Sequence, residues 1–548
     1  MKAIIKKNGI LILFIFLFLF GLSNIGGYGR PIDEPPEQEI LLMNIKEYSS
    51  IAGIDLDSSL FNGIDRISES IEQDHGIAAY YLFMPLFVLT GRETLSSMAA
   101  WHIYTYLIWF LGVVALYHIL KEIHHSHWTP VAGVLMYYFT PRMYAESHYN
   151  NKDIILLSLV FLILMFAVRT LKRWHTKDII GFGIASGFLM NCKIIGIAIW
   201  GLTGLFAIAH VLIFVDTKKR KRAFSDLILA AILSLIVFFL LTPAMWRFPV
   251  SYIQYCLTNA TGFSRWGKSF LFYGRTVTPI ATGVPRTYVL QWMLLTTPVY
   301  VTVLFISSII LFGWKGRDCK DLQIDSGGVD RKWLFLLFIA TFIFPVSVSI
   351  IKAPSLVLYN GWRHNYYLYA YVVLCASYSI DWILEKIKAR KARVLSVPTV
   401  LLGIMALGFM LTFSDMMLHR SYEYMYFNPL ARTVEDVEGF EGDYWNVAEL
   451  PAMKAFSKEF EEEIRIAPIG YAADGQFKDE KIGNLHIVTE TDNPDYYLFN
   501  TCMMIDKDVL EGYEKVYSFE RYGRELCAIM SSTRRVPPFL PPAVAARR

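Results

Sequence analysis

Long apolar runs separated by short polar loops fill the chain from its start to about residue 414. Residues 8–22, just after a short basic start, are dense in Leu, Ile and Phe. Further runs fall at 98–120, 128–144, 153–170, 178–192, 194–215, 223–243, 294–313, 332–351, 365–383 and 394–414. Several exceed the roughly 18 apolar residues that a bilayer span needs. Backbone in lipid must satisfy its own hydrogen bonds, so each run is predicted to be a helix. The stretch His75 to Leu89 is apolar but short and broken by Pro85, and reads as an interfacial or re-entrant helix. From Tyr444 the pattern changes: 447–461 is helix-like, and 463–467, 485–489, 496–499, 515–519 and 525–530 have the look of short strands.

The predicted fold is an all-α polytopic membrane protein of about eleven transmembrane helices, followed by a small α/β domain. It divides into a first transmembrane helix (1–24), a first outer loop with an acidic motif and interfacial helices (25–97), a multi-span core (98–414), the α/β domain (415–531) and a disordered tail (532–548).

Composition agrees with this class. The 548 residues are 54% hydrophobic and 18% charged, against about 25% charged in soluble domains. The net charge of +4 matters less than where the charges fall. Lys6-Lys7, Lys121, the Arg169–Lys177 loop, Lys218–Arg222, the Lys315–Lys332 loop and Lys386–Arg393 map to one side. This is the positive-inside pattern, with the N-terminus in and the C-terminus out. A cleaved signal peptide has the same layout at the start, but no clear small-x-small site precedes the acidic loop. The long loops then lie outside the cytoplasm, where function tends to reside. The six cysteines lack zinc or CxxC spacing. Cys502 and Cys527 both fall in the tail domain and form a candidate disulfide in an oxidising compartment. No Walker loop, Rossmann fingerprint or nucleic-acid motif is present.

Three outer segments carry candidate chemistry. Arg30 to Ile40 holds Asp33, Glu34, Glu37 and Glu39, with Pro31, Pro35 and Pro36 to fix the backbone. A carboxylate near an apolar wall can serve as a general base, although a solvated acidic loop is the commoner fate of such a cluster. Thr140 to Asp153 is dense in polar groups between two spans, where ionisable residues are costly. Arg142 and Lys152 could bind an anion there, with Glu146, His148, Asn151 and Asp153 as partners or acceptor contacts. Tyr359 to Tyr369 adds Arg363 and His364 at the outer end of a span. Interfacial anchoring explains any one of these cations alone.

Asp33-Glu34 in the first outer loop resembles the Asp-Glu pair of the polytopic C-type glycosyltransferases. That group includes the protein O-mannosyltransferases and the aminoarabinose transferase of lipid A. Pro141-Arg142 with Ser147-His148-Tyr149-Asn150-Asn151-Lys152-Asp153, then Asn360 to His364, Tyr426 to Leu430 and Asp443 to Trp445 mark one branch of it. The likeness spans roughly residues 1–530, and its motifs are specific jointly rather than singly. The resemblance implies a sugar donor carried on a polyprenyl phosphate and inverting hexosyl or pentosyl transfer outside the cytoplasm. It makes Asp33 the base and Glu34 its support, with Arg142, Lys152, Arg363 and His364 on the donor phosphate. The loop departs from the group in lacking an aromatic or His neighbour, which bears on the acceptor: a glycan, lipid or protein hydroxyl. A divalent metal is compatible with the group, and no metal ligands are assigned. The expected setting is a bacterial plasma membrane rather than the endoplasmic reticulum. Buried charges would equally suit a transporter or flippase of a lipid-linked or anionic solute, which predicts paired broken helices in two related halves. A membrane scaffold is the third reading, and it leaves the acidic loop without a purpose.

Overall fold

A computed structural model of the chain describes residues 2–56, 59–262, 267–314, 330–389, 396–434, 437–469, 477, 481–501 and 512–532. The expected tail at 532–548 falls outside them except for Ser532, the last residue of a strand, and so does Cys502 of the expected disulfide. The helices run in order α1 (Lys2–Leu22), α2 (Glu34–Ala52), α3 (Met84–Thr90), α4 (Leu95–Ile123), α5 (Thr129–Tyr138), α6 (Pro141–Glu146), α7 (Asp153–Arg173), α8 (Thr176–Cys192), α9 (Ile195–Phe214), α10 (Thr217–Leu241) and α11 (Pro249–Gly262). A hairpin of β1 (Phe270–Phe272) and β2 (Arg275–Val277) follows. Then come α12 (Pro279–Thr282), α13 (Tyr288–Thr296), α14 (Val299–Trp314), α15 (Arg331–Lys352), α16 (Leu368–Lys388), α17 (Val397–Leu418), α18 (Ala431–Val434) and α19 (Glu449–Ser457).

The expected eleven spans are too many. Among the described residues seven helices are long and apolar enough to cross a membrane, or eight if the bent pair α13–α14 counts as one. Three runs account for the difference. The run 128–144 breaks after ten residues, because Pro141 holds Thr140 in an extended conformation (φ −85°, ψ 113°). Ten helical residues reach only about 15 Å, half of a hydrocarbon core. The run 178–192 ends as the 17-residue α8, cut by the extended backbone of Lys193. The third, α16, has the length, but Ser377, Ser379 and Asp381 sit on it and nearly its whole surface is buried by α5, α7, α14, α15 and α17. Protein rather than lipid surrounds it, so it does not need an apolar sequence.

Helix contacts are close where side chains are small. A methyl group on Gly112 of α4 would lie 2.9 Å from the Ser158 backbone of α7, so the crossing depends on glycine. The bundle has two chemically distinct ends. At one, Arg331 Nη2 meets Asp381 Oδ2 at 2.7 Å and donates to His124 Nδ1 at 3.0 Å. Asp381 Oδ1 accepts from the Ser126 amide at 3.0 Å and the Thr129 hydroxyl at 2.9 Å, which ties together the termini of α4, α5, α15 and α16. Lys172 and Arg173 pair with Glu122 at the same end. The opposite end carries α2, α6 and the start of α7, α16 and α4.

The C-terminal unit is β-rich. Strands β3 (Ile464–Pro468), β4 (Lys481–Ile482), β5 (Leu485–Ile487), β6 (Tyr496–Asn500), β7 (Tyr513–Arg521) and β8 (Arg524–Ser532) form one mixed sheet in the order β4-β5-β3-β6-β8-β7. β3 is parallel to β5 and β6, and the remaining pairings are antiparallel. Among the described residues, α19 packs as a regular helix against β3, β5 and β6. The apolar core beneath it is shared with the bundle: Tyr28, Met98, Ala145 and Tyr149 join Trp445, Ile466 and Ile529. The sheet therefore presses on the end of the bundle that holds the acidic loop. Cys527 lies buried in β8.

Candidate active site

Asp33 stands immediately before α2, with Pro35 and Pro36 in the first turn where their missing N–H groups cost nothing. Its Oδ2 accepts from Arg363 Nη1 at 2.6 Å. The Arg363 side chain is only 6% exposed, whereas that of Asp33 is 38% exposed, so a buried cation presents a carboxylate to the outside. Arg363 owes its place to the preceding turn. Asn360 and Gly361 both take positive φ (55° and 65°), a pairing that favours glycine at the second position. The Gly361 N–H donates to Glu441 at 3.2 Å, and the Trp362 indole donates to Thr296 at 2.9 Å. The guanidinium then lies 4.4 Å from the centre of the Trp445 ring.

Glu34 is wholly buried. Its Oε1 accepts from Arg30 at 3.1 Å and from Gln38 at 3.0 Å, and its Oε2 lies 3.0 Å from His102 Nε2. This network locks the start of α2 to α4. Glu37 is not the solvated acid that such a cluster usually supplies: it is buried and accepts from Lys152 Nζ at 2.9 Å. Burial is the largest single influence and works against the Lys152 ammonium, but the Glu37 charge and hydrogen bond, with smaller contributions from Cys192 and Glu72, together hold Lys152 above the usual lysine range. Asp153, the first residue of α7, pairs with Lys193 and accepts from Asn150 at 3.3 Å. His364 follows Arg363. Burial, with the Lys193, Arg363 and Lys152 charges nearby, holds its imidazole well below the usual histidine range, so it is neutral near pH 7.

The structure thus brings Asp33, Glu37, Lys152, Asp153, Lys193, Arg363 and His364 to one place. It sends other sequence candidates elsewhere. Arg142 turns toward the tail, where it donates to the Tyr426 carbonyl at 3.1 Å and lies over Trp292 and Phe427. Glu146 is sealed beneath Tyr366 (2.5 Å) and Tyr444 (3.4 Å) and accepts from Asn150 at 2.8 Å. His148 wedges α6 against α1, with Nε2 3.1 Å from the Gly21 carbonyl and Nδ1 2.9 Å from that of Tyr144. Asn151 is buried with its Nδ2 unpartnered. Lys193 was visible in the sequence only as the junction of two short helices. A lysine placed between apolar helices needs a partner, and that rule alone marks it. Among the described residues no group of three or more His, Cys, Asp or Glu has the arrangement to hold a metal ion.

Four buried acids outside the spans are pushed up by desolvation: Asp443 to about 6, Glu146 and Glu423 to about 7, and Glu441 to about 8. Each folded value lies above its unfolded one, so the folded chain holds these protons longer. The stability they contribute is complete below the unfolded pKa and is lost as pH rises through the folded value. His148 and His364 are depressed and act in the opposite sense, but only below about pH 6.5. Thermal unfolding in detergent is therefore expected to shift to lower temperature between about pH 6.5 and 8. Glu441→Gln should flatten the upper part of that slope, and an unchanged slope would count against the protonated Glu441.

Residues 74–246, less than half of the chain, match the family described as dolichyl-phosphate-mannose-protein mannosyltransferase. No curated protein matches the chain. Among solved structures, ArnT from Cupriavidus metallidurans bound to undecaprenyl phosphate is 12% identical and aligns over 97% of this chain and 99% of its own, with a TM-score of 0.47. Its apo state aligns over 96% and 98% at 12% identity and 0.45. The apo oligosaccharyltransferase of Archaeoglobus fulgidus is 11% identical over 89% of this chain and 69% of its own, at 0.46. Taken with the apolar spans and the segments quoted above, the family match makes this an integral, multi-pass chain that resembles the polytopic membrane glycosyltransferases of the C type.

Proposed function

We propose that the chain transfers a sugar from a polyprenyl-phosphate donor to a hydroxyl acceptor. The observation that carries this reading is the Asp33 carboxylate, partly open to solvent and held by the buried Arg363, with Lys152 held by Glu37 one turn along α2. Asp33 takes the acceptor proton as the acceptor oxygen bonds to the anomeric carbon. The bond from that carbon to the phosphate oxygen breaks, and the polyprenyl phosphate leaves with the electron pair. Arg363 and Lys152 meet the charge that develops on it, preorganised in a site that excludes most water. His364, being neutral, serves the phosphate as a hydrogen-bonding group rather than as a charge. Glu34 supports Asp33 by fixing α2 through Arg30 and His102. Arg142, Glu146 and His148 hold the tail and α6 against the bundle, so their part is positional. The lysine- and arginine-rich end of the bundle belongs in the cytoplasm by the positive-inside rule, which puts the site on the other face.

A flippase reading draws on the bend of 119° between α13 and α14, but that is the one such pair among the described residues, and paired halves are what it predicts. The test is a donor comparison with the purified chain in liposomes. Release of polyprenyl phosphate together with glycosylated acceptor is expected from a polyprenyl-phosphate sugar. Equal turnover of a nucleotide sugar, or movement of the donor between leaflets without bond cleavage, would overturn the proposal.

A further inference from the structure

Three cations, Lys152, Lys193 and Arg363, converge at this site, and each is held by its own acid: Glu37, Asp153 and Asp33. The three pairs cancel in charge. They form one cluster: His364 feels all three cations, and Asp153 feels both Lys193 and Arg363. The hydrogen bonding is incomplete. Arg363 Nε, Glu37 Oε2 and His364 Nε2 are buried polar atoms without a hydrogen-bond partner, although Arg363 and Glu37 are each about 5% exposed overall. Buried polar atoms are normally satisfied, so these three point to a group that completes them.

We infer that Lys193 is the third cation of a phosphate site with Lys152 and Arg363, and that the phosphate enters by displacing the carboxylates of Glu37, Asp153 and Asp33. This rests on the function proposed above and adds a regulation to it. While Arg363 holds Asp33 at 2.6 Å, the Oδ2 that would take the acceptor proton is already occupied. A phosphate on Arg363 takes over that bond, and Asp33 Oδ2 is freed to receive the acceptor proton. The base is thus armed only when a donor is seated. The geometry also explains why Asp33 is the exposed acid of the three: Glu37 and Asp153 are buried and move aside, whereas Asp33 swings toward the open face.

The test is binding of undecaprenyl phosphate to the full chain in nanodiscs at about pH 8, where the phosphate is a dianion. Lys193→Gln should weaken binding about 10–100-fold. Because that change strands Asp153, Lys193→Gln with Asp153→Asn is measured beside it and should bind equally weakly. Asp33→Asn and Glu37→Gln each remove a competitor for a cation and should tighten binding about three- to tenfold. Binding by the Lys193 variants at the level of the parent chain, or weaker binding by Asp33→Asn, overturns the inference. Tighter binding with transfer intact in Asp33→Asn upholds the exchange and removes Asp33 as the base. Lost transfer with unchanged binding upholds the base and removes the exchange. Inorganic phosphate in the same titration should show the same ranking at lower affinity if the headgroup alone is read. Absence of that ranking for the lipid phosphate overturns the site.

Discussion

Asp33→Asn is expected to lower sugar transfer by about 10²–10⁴-fold, the usual contribution of a positioned general base. Asn keeps the shape and can still accept from Arg363, but it cannot take a proton. The fold should tolerate the change. Asp33 makes no side-chain capping bond to α2, and its side chain is 38% exposed. The loss should therefore appear in kcat, with the donor KM unchanged or lower, because only an interaction made in the transition state is removed. A radiolabelled-sugar assay on the purified variant decides it. Turnover within about threefold of the parent chain would remove Asp33 from the chemistry. Glu34→Gln should behave differently. It breaks a buried ion pair with Arg30, so its loss of activity should come with a loss of stability.

The largest effect on stability is expected at the other end of the bundle. Arg331→Met leaves Asp381 buried without its cation, and both side chains are only 2% exposed, so solvent does not screen the loss. The cost should be about 3–5 kcal/mol. Asp381→Asn added to it should recover part of that. The amide oxygen can still accept from Ser126 and Thr129, and the stranded charge is gone. Denaturant unfolding in mixed micelles measures both. A single variant costing less than about 1 kcal/mol would mean that water reaches Asp381. Neither substitution touches the acidic loop, so residual transfer per folded molecule should stay near that of the parent chain.

The sequence made the membrane class plain, because long apolar runs have few other uses. It overcounted the crossings for two reasons. Hydropathy does not register a break such as the one Pro141 forces on Thr140, and it cannot tell whether lipid or protein surrounds α16. Five of the six described tail strands were placed to within a few residues, since alternation survives in Ile464 and Ile466 of β3, and the two-residue β4 was too short to show in the pattern. Their order was not legible, because pairings such as β3 with β6 join segments far apart in the chain.

The site divides in the same way. Residue type and position in the chain singled out Asp33, Lys152, Asp153, Arg363 and His364, since charged groups beside membrane helices demand an explanation. The spacing of the sequence could not assign their partners. Arg363 meets Asp33 across 330 positions, and Lys152 meets Glu37 across 115. Only folding brings such residues within reach. Burial likewise decided that Glu37 is no solvated acid, and the ion pair with Asp153 that Lys193 belongs with the other cations. What the sequence by itself determined is that this is a membrane chain carrying an acidic loop beside scattered cations. Which acid stays open to solvent, and which cation each one holds, was decided by tertiary structure, because charges in a low-dielectric interior must be matched pair by pair.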